Sequence, residues 1–208
     1  MELGSVFLVA LVLGMRHATD ADHVVAIGTL VRREAGMRGA LTQGALWGLG
    51  HTATILAVGV AIVLGGLVVP PRVAEWMELA VAVMLIVLGV ASIRTSSGPA
   101  RETHAHLPRV RGRLRPVVVG VVHGLAGSAG LALVTLTTIG DRGAALVYLG
   151  LFGAGTIVGM MVITAAMVAP FALAAQRFER LYRIGLQCAA VASIVLGIVI
   201  GGRVLFAS

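Results

Sequence analysis

Residues 16–23 read Arg16-His17-Ala18-Thr19-Asp20-Ala21-Asp22-His23. Imidazole is a favoured ligand for nickel, cobalt and zinc, and a carboxylate supplies negative charge that lowers the cost of holding a dication. Two of each, packed this closely, suit a divalent first-row metal ion. The stretch lies inside an apolar run spanning residues 3–29, where ionisable groups are costly unless paired, hydrated or ligated. A buried network with a purely structural role is the plainer alternative. The density of metal-ligating types favours the cation site.

Spacing leaves the third ligand open. With about 100° per residue and His17 at zero, Asp20 falls near 300°, Asp22 near 140° and His23 near 240°. On a straight helix Asp20 lies between the two histidines and Asp22 points elsewhere. Either Asp20 ligates and Asp22 supports it, or the helix unwinds near Ala18–Asp22. Unwinding is favoured, because Gly14 and Gly28 bracket the cluster and transporters use broken helices to bind ions. Arg16 either neutralises Asp20 or Asp22 when no ion is bound, or extends toward the outer surface.

Further donors follow along the chain. His51, in Gly48-Leu49-Gly50-His51-Thr52, sits near the middle of the second apolar run and is expected to be a ligand or relay, with Thr52 beside the path. His123, in His123-Gly124-Leu125-Ala126-Gly127-Ser128, is a candidate for the path or its surroundings, as is Ser128. Thr135, Thr137 and Thr138 are better read as capping backbone carbonyls inside a helix. His104 and His106 form a His-x-His pair in a polar loop. It is either an ordinary polar loop or a weak metal relay.

The elements that position these residues are membrane helices. Of 208 residues, 58% are hydrophobic and only 12% charged, well below the quarter charged of a soluble domain. Apolar runs at about 3–29, 40–68, 74–94, 114–138, 143–169 and 183–206 are each long enough to cross roughly 30 Å of hydrocarbon as a helix. Pro70 and Pro71 are expected to end the second run, Pro116 to open the fourth and Pro170 to end the fifth. The first run has no basic leader and no convincing cleavage site, so it reads as retained structure rather than a signal peptide.

All 16 basic residues other than histidine are arginines. Arg32, Arg33 and Arg38 follow the first run, a cluster from Arg94 to Arg115 follows the third, and Arg177, Arg180 and Arg183 follow the fifth. Only Arg72, Arg142 and Arg203 fall on the other side. The positive-inside bias places the 95–113 loop in the cytoplasm and both termini outside. The net charge of +7 then reflects topology and anionic lipid, not nucleic acid.

The halves resemble each other. Leu13-Gly14-Met15-Arg16-His17 aligns with Val119-Gly120-Val121-Val122-His123, Leu46-Trp47-Gly48-Leu49-Gly50 with Leu151-Phe152-Gly153-Ala154-Gly155, and Val87-Leu88-Gly89-Val90 with Val195-Leu196-Gly197-Ile198. Order is kept and the offset barely drifts. Three spans is an odd number, so the second copy must enter the membrane upside down. The expected fold is an all-α integral membrane protein of six helices in an inverted 3+3 repeat, with repeats at 1–94 and 114–208 joined by the basic loop 95–113.

Several chemistries are disfavoured. The chain has no Gly-x-x-x-x-Gly-Lys-Ser/Thr loop, and no His-Glu-x-x-His or Gly-x-Ser-x-Gly. Cys188 stands alone and is read as packing, and without paired cysteines a thiol-redox carrier is disfavoured. No enzymatic activity and no resident cofactor are expected.

Arg16-His17-Ala18-Thr19-Asp20-Ala21-Asp22-His23 resembles the His-x4-Asp-His signature of the nickel/cobalt transporter superfamily, in wording close to its high-affinity permeases. Leu49-Gly50-His51-Thr52 resembles their Gly-His-Ser/Thr motif. The size, six spans and His123–Ser128 stretch look like the short branch associated with urease accessory genes. The resemblance implies a bacterial or archaeal inner-membrane permease for Ni(II) or Co(II), with His17, Asp22 and His23 essential and His51 nearby. That emphasis on Asp22 differs from the straight-helix argument for Asp20. The chain lacks the long histidine-rich loop of the exporter branch, which favours uptake. Expected partners are the metal ion, membrane lipid, and a second copy or a cytosolic metallochaperone. An exporter on the same scaffold and a non-transporting metal-binding accessory protein remain as alternatives.

Overall fold

The computed structural model describes residues 3–30, 36–96, 109–125, 139–177 and 179–206. Among these, all regular structure is helical: α1 Leu3–His17, α2 Ala21–Leu30, α3 Gly36–Gly65, α4 Pro71–Ser96, α5 Arg109–Gly124, α6 Arg142–Arg177 and α7 Glu179–Phe206. Four of these helices, α3, α4, α6 and α7, are long and apolar enough to cross a membrane.

The first apolar run is divided. After His17 the chain tightens: the amides of Thr19 and Asp20 donate to the carbonyls of Arg16 and His17 at 2.8 and 3.1 Å, three residues back rather than four. The Thr19 hydroxyl also donates to the Arg16 carbonyl at 2.6 Å, competing for the helical acceptor. Helix α2 restarts with the amide of Val24 on the carbonyl of Asp20 at 3.1 Å. Asp22 then lies in its first turn, where exposed amides and the helix dipole favour negative charge. Arg16 and His17 occupy the last turn of α1, the end that favours positive charge.

Several expected boundaries shift. Pro116 does not open the fourth helix but lies inside α5, which begins at Arg109. Helix α6 does not end at Pro170 but continues to Arg177. A proline removes one ladder hydrogen bond; tertiary packing, of α5 against α3 and of α6 against α1 and α3, offsets that loss. The 95–113 connection is accordingly narrower, because α4 reaches Ser96 and α5 starts at Arg109. Residues 126–138, which would complete the fourth run, lie outside the described residues. Pro71 begins α4, in the first-turn position that suits its missing N–H. Cys188 is exposed rather than packed, as are Leu8, Val68, Trp76 and Phe206. In a membrane helix such a surface meets lipid, so an apolar side chain there needs no protein partner.

Helix α3 packs against both α5 and α6, α1 against α6, and α4 against α7. Small residues set these approaches, and they do so reciprocally. A Cβ at Gly14 would strike the Phe152 carbonyl oxygen, and one at Gly120 would strike that of Trp47. Gly155 faces the Leu11 carbonyl and Gly50 that of Val117. Gly89 lies where a Cβ would be 2.6 Å from the Ala190 carbonyl, and Gly197 where one would be 2.6 Å from that of Ala82. Each contact has its counterpart at aligned positions with the halves exchanged. Close backbone approach of this kind is how helices gain packing where lipid offers no hydrophobic drive.

Candidate metal centre

The break between α1 and α2 brings its donors against α3 and α5. His17 comes from the end of α1, Asp22 and His23 from the start of α2, His51 from the middle of α3, and His123 from the last turn of α5. Four of the chain's six histidines thus meet at one place, with His23, His51 and His123 fully buried and His17 6% exposed. Ring centroids of His23 and His123 are 4.2 Å apart, and those of His17 and His51 are 5.1 Å apart.

The hydrogen bonds fix which nitrogens remain free. The His17 Nδ1–H donates to Asp20 Oδ2 at 2.9 Å, so Nε2 carries the lone pair. Across 3.0 Å it accepts from His51 Nε2–H, which leaves His51 Nδ1 without a partner. Asp22 accepts three donors: the His23 amide and His23 Nδ1–H on Oδ1, each at 3.0 Å, and His123 Nε2–H on Oδ2 at 2.9 Å. A buried carboxylate so supplied is well stabilised. His23 Nε2 and His123 Nδ1 have no hydrogen-bond partner among the described residues. Buried polar atoms are ordinarily paired; a bare imidazole nitrogen can ligate a metal ion or take up the proton that an ion displaces from the other nitrogen of its ring.

Two donor sets result. His17, His23 and His51 offer ligand atoms within 4.8 Å of one another, and so do Asp22, His23 and His123. In the first set, Asp20 and Asp22 hold His17 and His23 by their opposite nitrogens. This is the carboxylate–histidine arrangement that fixes a ligand's tautomer and raises its basicity.

The remaining candidates lie apart. Asp20 is 44% exposed at its side chain and, among the described residues, meets the centre through His17. Arg16 is exposed and forms no ion pair with Asp20 or Asp22 among the described residues, which favours the surface-directed alternative. Arg16→Gln is therefore expected to change Ni²⁺ affinity by less than about twofold, as for a surface substitution. Titration of the purified variant checks it. Thr52 turns from the centre and donates to the Gly153 carbonyl at 3.2 Å, tying α3 to α6. Ser128, His104 and His106 lie outside the described residues.

Two aromatic walls escaped the sequence reading. Trp47 lies 5.6 Å from His23 and 5.7 Å from His123, ring to ring, and Phe152 lies 5.6 Å from His17. Their signal was present in the repeat, which aligns Trp47 with Phe152 and His17 with His123. Each aromatic stands beside the other half's histidine.

Comparisons with known proteins agree with this chemistry. The model of the NicO family, described as high-affinity nickel-transport protein, matches residues 3–110. That stretch carries His17, Asp20, Asp22, His23 and His51, whereas His123 lies beyond it. The chain is 31% identical over 208 residues to a urease accessory protein, UreH, of Bacillus sp. (strain TB-90), and the match covers 95% of this chain and 91% of that one. No solved structure matches. A family match over more than half of the chain, and a relative aligned along nearly all of it, place this protein in the NicO family of high-affinity nickel-transport proteins.

Proposed function

We propose that the chain is a multi-pass permease of a bacterial or archaeal inner membrane that carries Ni²⁺, with Co²⁺ as a second substrate, into the cytoplasm. The observation that carries the reading is the convergence of buried imidazoles on Asp22 where an apolar helix is interrupted. An isolated dication cannot cross hydrocarbon, so its ligands must offset dehydration without holding it too tightly for release. In this reading His17, Asp22, His23 and His51 bind the ion, and Asp20 orients His17. The inward-negative potential supplies roughly 4.6 kcal/mol per 100 mV for a double charge, enough to drive uptake without nucleotide.

Six crossings follow if α1 with α2 makes the first and α5 begins the fourth. The reciprocal glycine contacts support an inverted repeat of residues 1–94 and 114–208, and rocking of one repeat against the other would expose the centre alternately. Arginine bias supports external termini and a cytoplasmic central loop.

Proteoliposomes containing the purified chain test the function. Under an inside-negative potential they should accumulate Ni²⁺ saturably, Co²⁺ less and Zn²⁺ least, and His17→Ala and Asp22→Ala should each lose at least about tenfold in rate. The Bacillus relative is named a urease accessory protein, and that leads to a second reading of this chain, an accessory protein that holds the ion at the buried histidines without moving it. Bound Ni²⁺ with no flux would establish that instead.

A further inference from the structure

The family motif treats His17, Asp22 and His23 as one group, but the geometry divides them. His17 belongs with His51, Asp22 belongs with His123, and His23 belongs to both sets. His23 has two ring nitrogens to divide between them: Nδ1 meets Asp22, and Nε2 is the buried nitrogen left unpartnered. The sets differ in chemistry, three neutral imidazoles in one, two imidazoles and a carboxylate in the other. They differ in origin too. His17 and His51 come from the first half of the chain, whereas His123 comes from the second, on α5.

We infer that the centre is a two-position relay for a divalent transition-metal ion, with His23 shared between a His17/His51 position and an Asp22/His123 position. The inference rests on the permease reading and deepens it. One ion is held at a time, because a neutral His23 ring has one free lone pair and can serve one position through Nε2 or the other through Nδ1, not both. At the first, the ion takes the place of the proton between the His17 and His51 Nε2 atoms, and that proton moves to the free Nδ1 of His51. At the second, it takes the place of the protons that His23 and His123 direct at Asp22. Those protons can reside on His23 Nε2 and His123 Nδ1, the two nitrogens left open. Transfer between positions then exchanges ligands around one ring, so full dehydration and release never occur in a single step. His123 becomes a ligand of the path, contributed by the half of the chain that the family match does not reach.

The test compares equilibrium Ni²⁺ binding by the detergent-purified full chain with Ni²⁺ flux in proteoliposomes. His51→Ala removes a ligand from one position only, and His123→Ala from the other only. Each should still bind one Ni²⁺ within about tenfold of the parent affinity, because a complete donor set survives, yet lose flux by at least about tenfold. His23→Ala should lose binding and flux together. Loaded with Co²⁺ as a spectroscopic probe, His51→Ala and His123→Ala should give different visible absorption, since one keeps a carboxylate set and the other an all-imidazole set. His123→Asn retains an N–H donor for Asp22 and covers the case in which His123→Ala does not fold. It too should bind and fail to transport. Wild-type flux in both His123 variants would overturn the relay while leaving the permease intact. So would loss of binding in His51→Ala and His123→Asn as complete as in His23→Ala, which would mean one undivided site. If the parent chain neither binds nor carries Ni²⁺, the permease reading falls and the relay with it.

Discussion

His23→Ala lowers Ni²⁺ affinity by at least about a hundredfold and removes measurable flux, the largest functional effect of any single side chain here. Changing a residue that merely orients a ligand costs about 10–100-fold in affinity, and His23 is a ligand candidate in both donor sets. Removing it leaves only two donors at each. It also strips Asp22 of one of its imidazole partners, so the carboxylate depends on His123 and a single amide. Isothermal titration with Ni²⁺ gives the affinity and size-exclusion chromatography the folded state. Asp20→Asn is the contrasting case. Among the described residues it meets the centre through His17 Nδ1, and it is half-exposed, so its effect stays nearer tenfold.

Gly155→Leu destabilises the protein by more than about 3 kcal/mol and also abolishes metal binding, although the residue carries no chemistry. Overfilling a packed interface by side chains that can shift costs about 1–3 kcal/mol. Here the obstacle is the Leu11 carbonyl, a backbone atom in a helix that cannot yield locally. Helix α1 must retreat from α6, and α1 ends in His17. Gly14→Leu acts on the same contact from the other side, against the Phe152 carbonyl. Gly4→Leu and Gly202→Leu are the controls, since nothing lies within 4 Å of a Cβ at either position. Thermal unfolding in detergent should separate the pairs, with both controls unchanged.

Much of this was legible in the chain before any coordinates. The density of imidazoles and carboxylates in residues 16–23, inside an apolar run, favours a cation site over a purely structural network, and the glycine-bearing repeats match in order and offset. The choice between Asp20 and Asp22 was not legible, for a definite reason. A helical wheel assumes constant phase, and the turn at residues 18–20 resets it, so Asp22 rotates inward against His23 and His123 while Asp20 remains behind His17. The alignment of His123 with His17 marks it as a candidate. Its contact with Asp22, 101 residues away, depends on how α5 seats on α3 through Gly120 and Gly50, which no local pattern encodes. Of the two roles open to Arg16, counter-ion or surface-directed side chain, its exposure favours the second, and sequence proximity to Asp20 and Asp22 alone does not decide between them. At the end of α1 its side chain leaves the helix on the exposed face.

The central claim is that the transported ion is held by imidazoles of this centre, and the Ni K-edge X-ray absorption of the loaded, purified chain tests it most directly. The account predicts two to three imidazole ligands at about 2.0–2.1 Å, visible as multiple scattering from the rings and lost in His23→Ala. A spectrum of oxygen ligands alone, unchanged by that substitution, would contradict it.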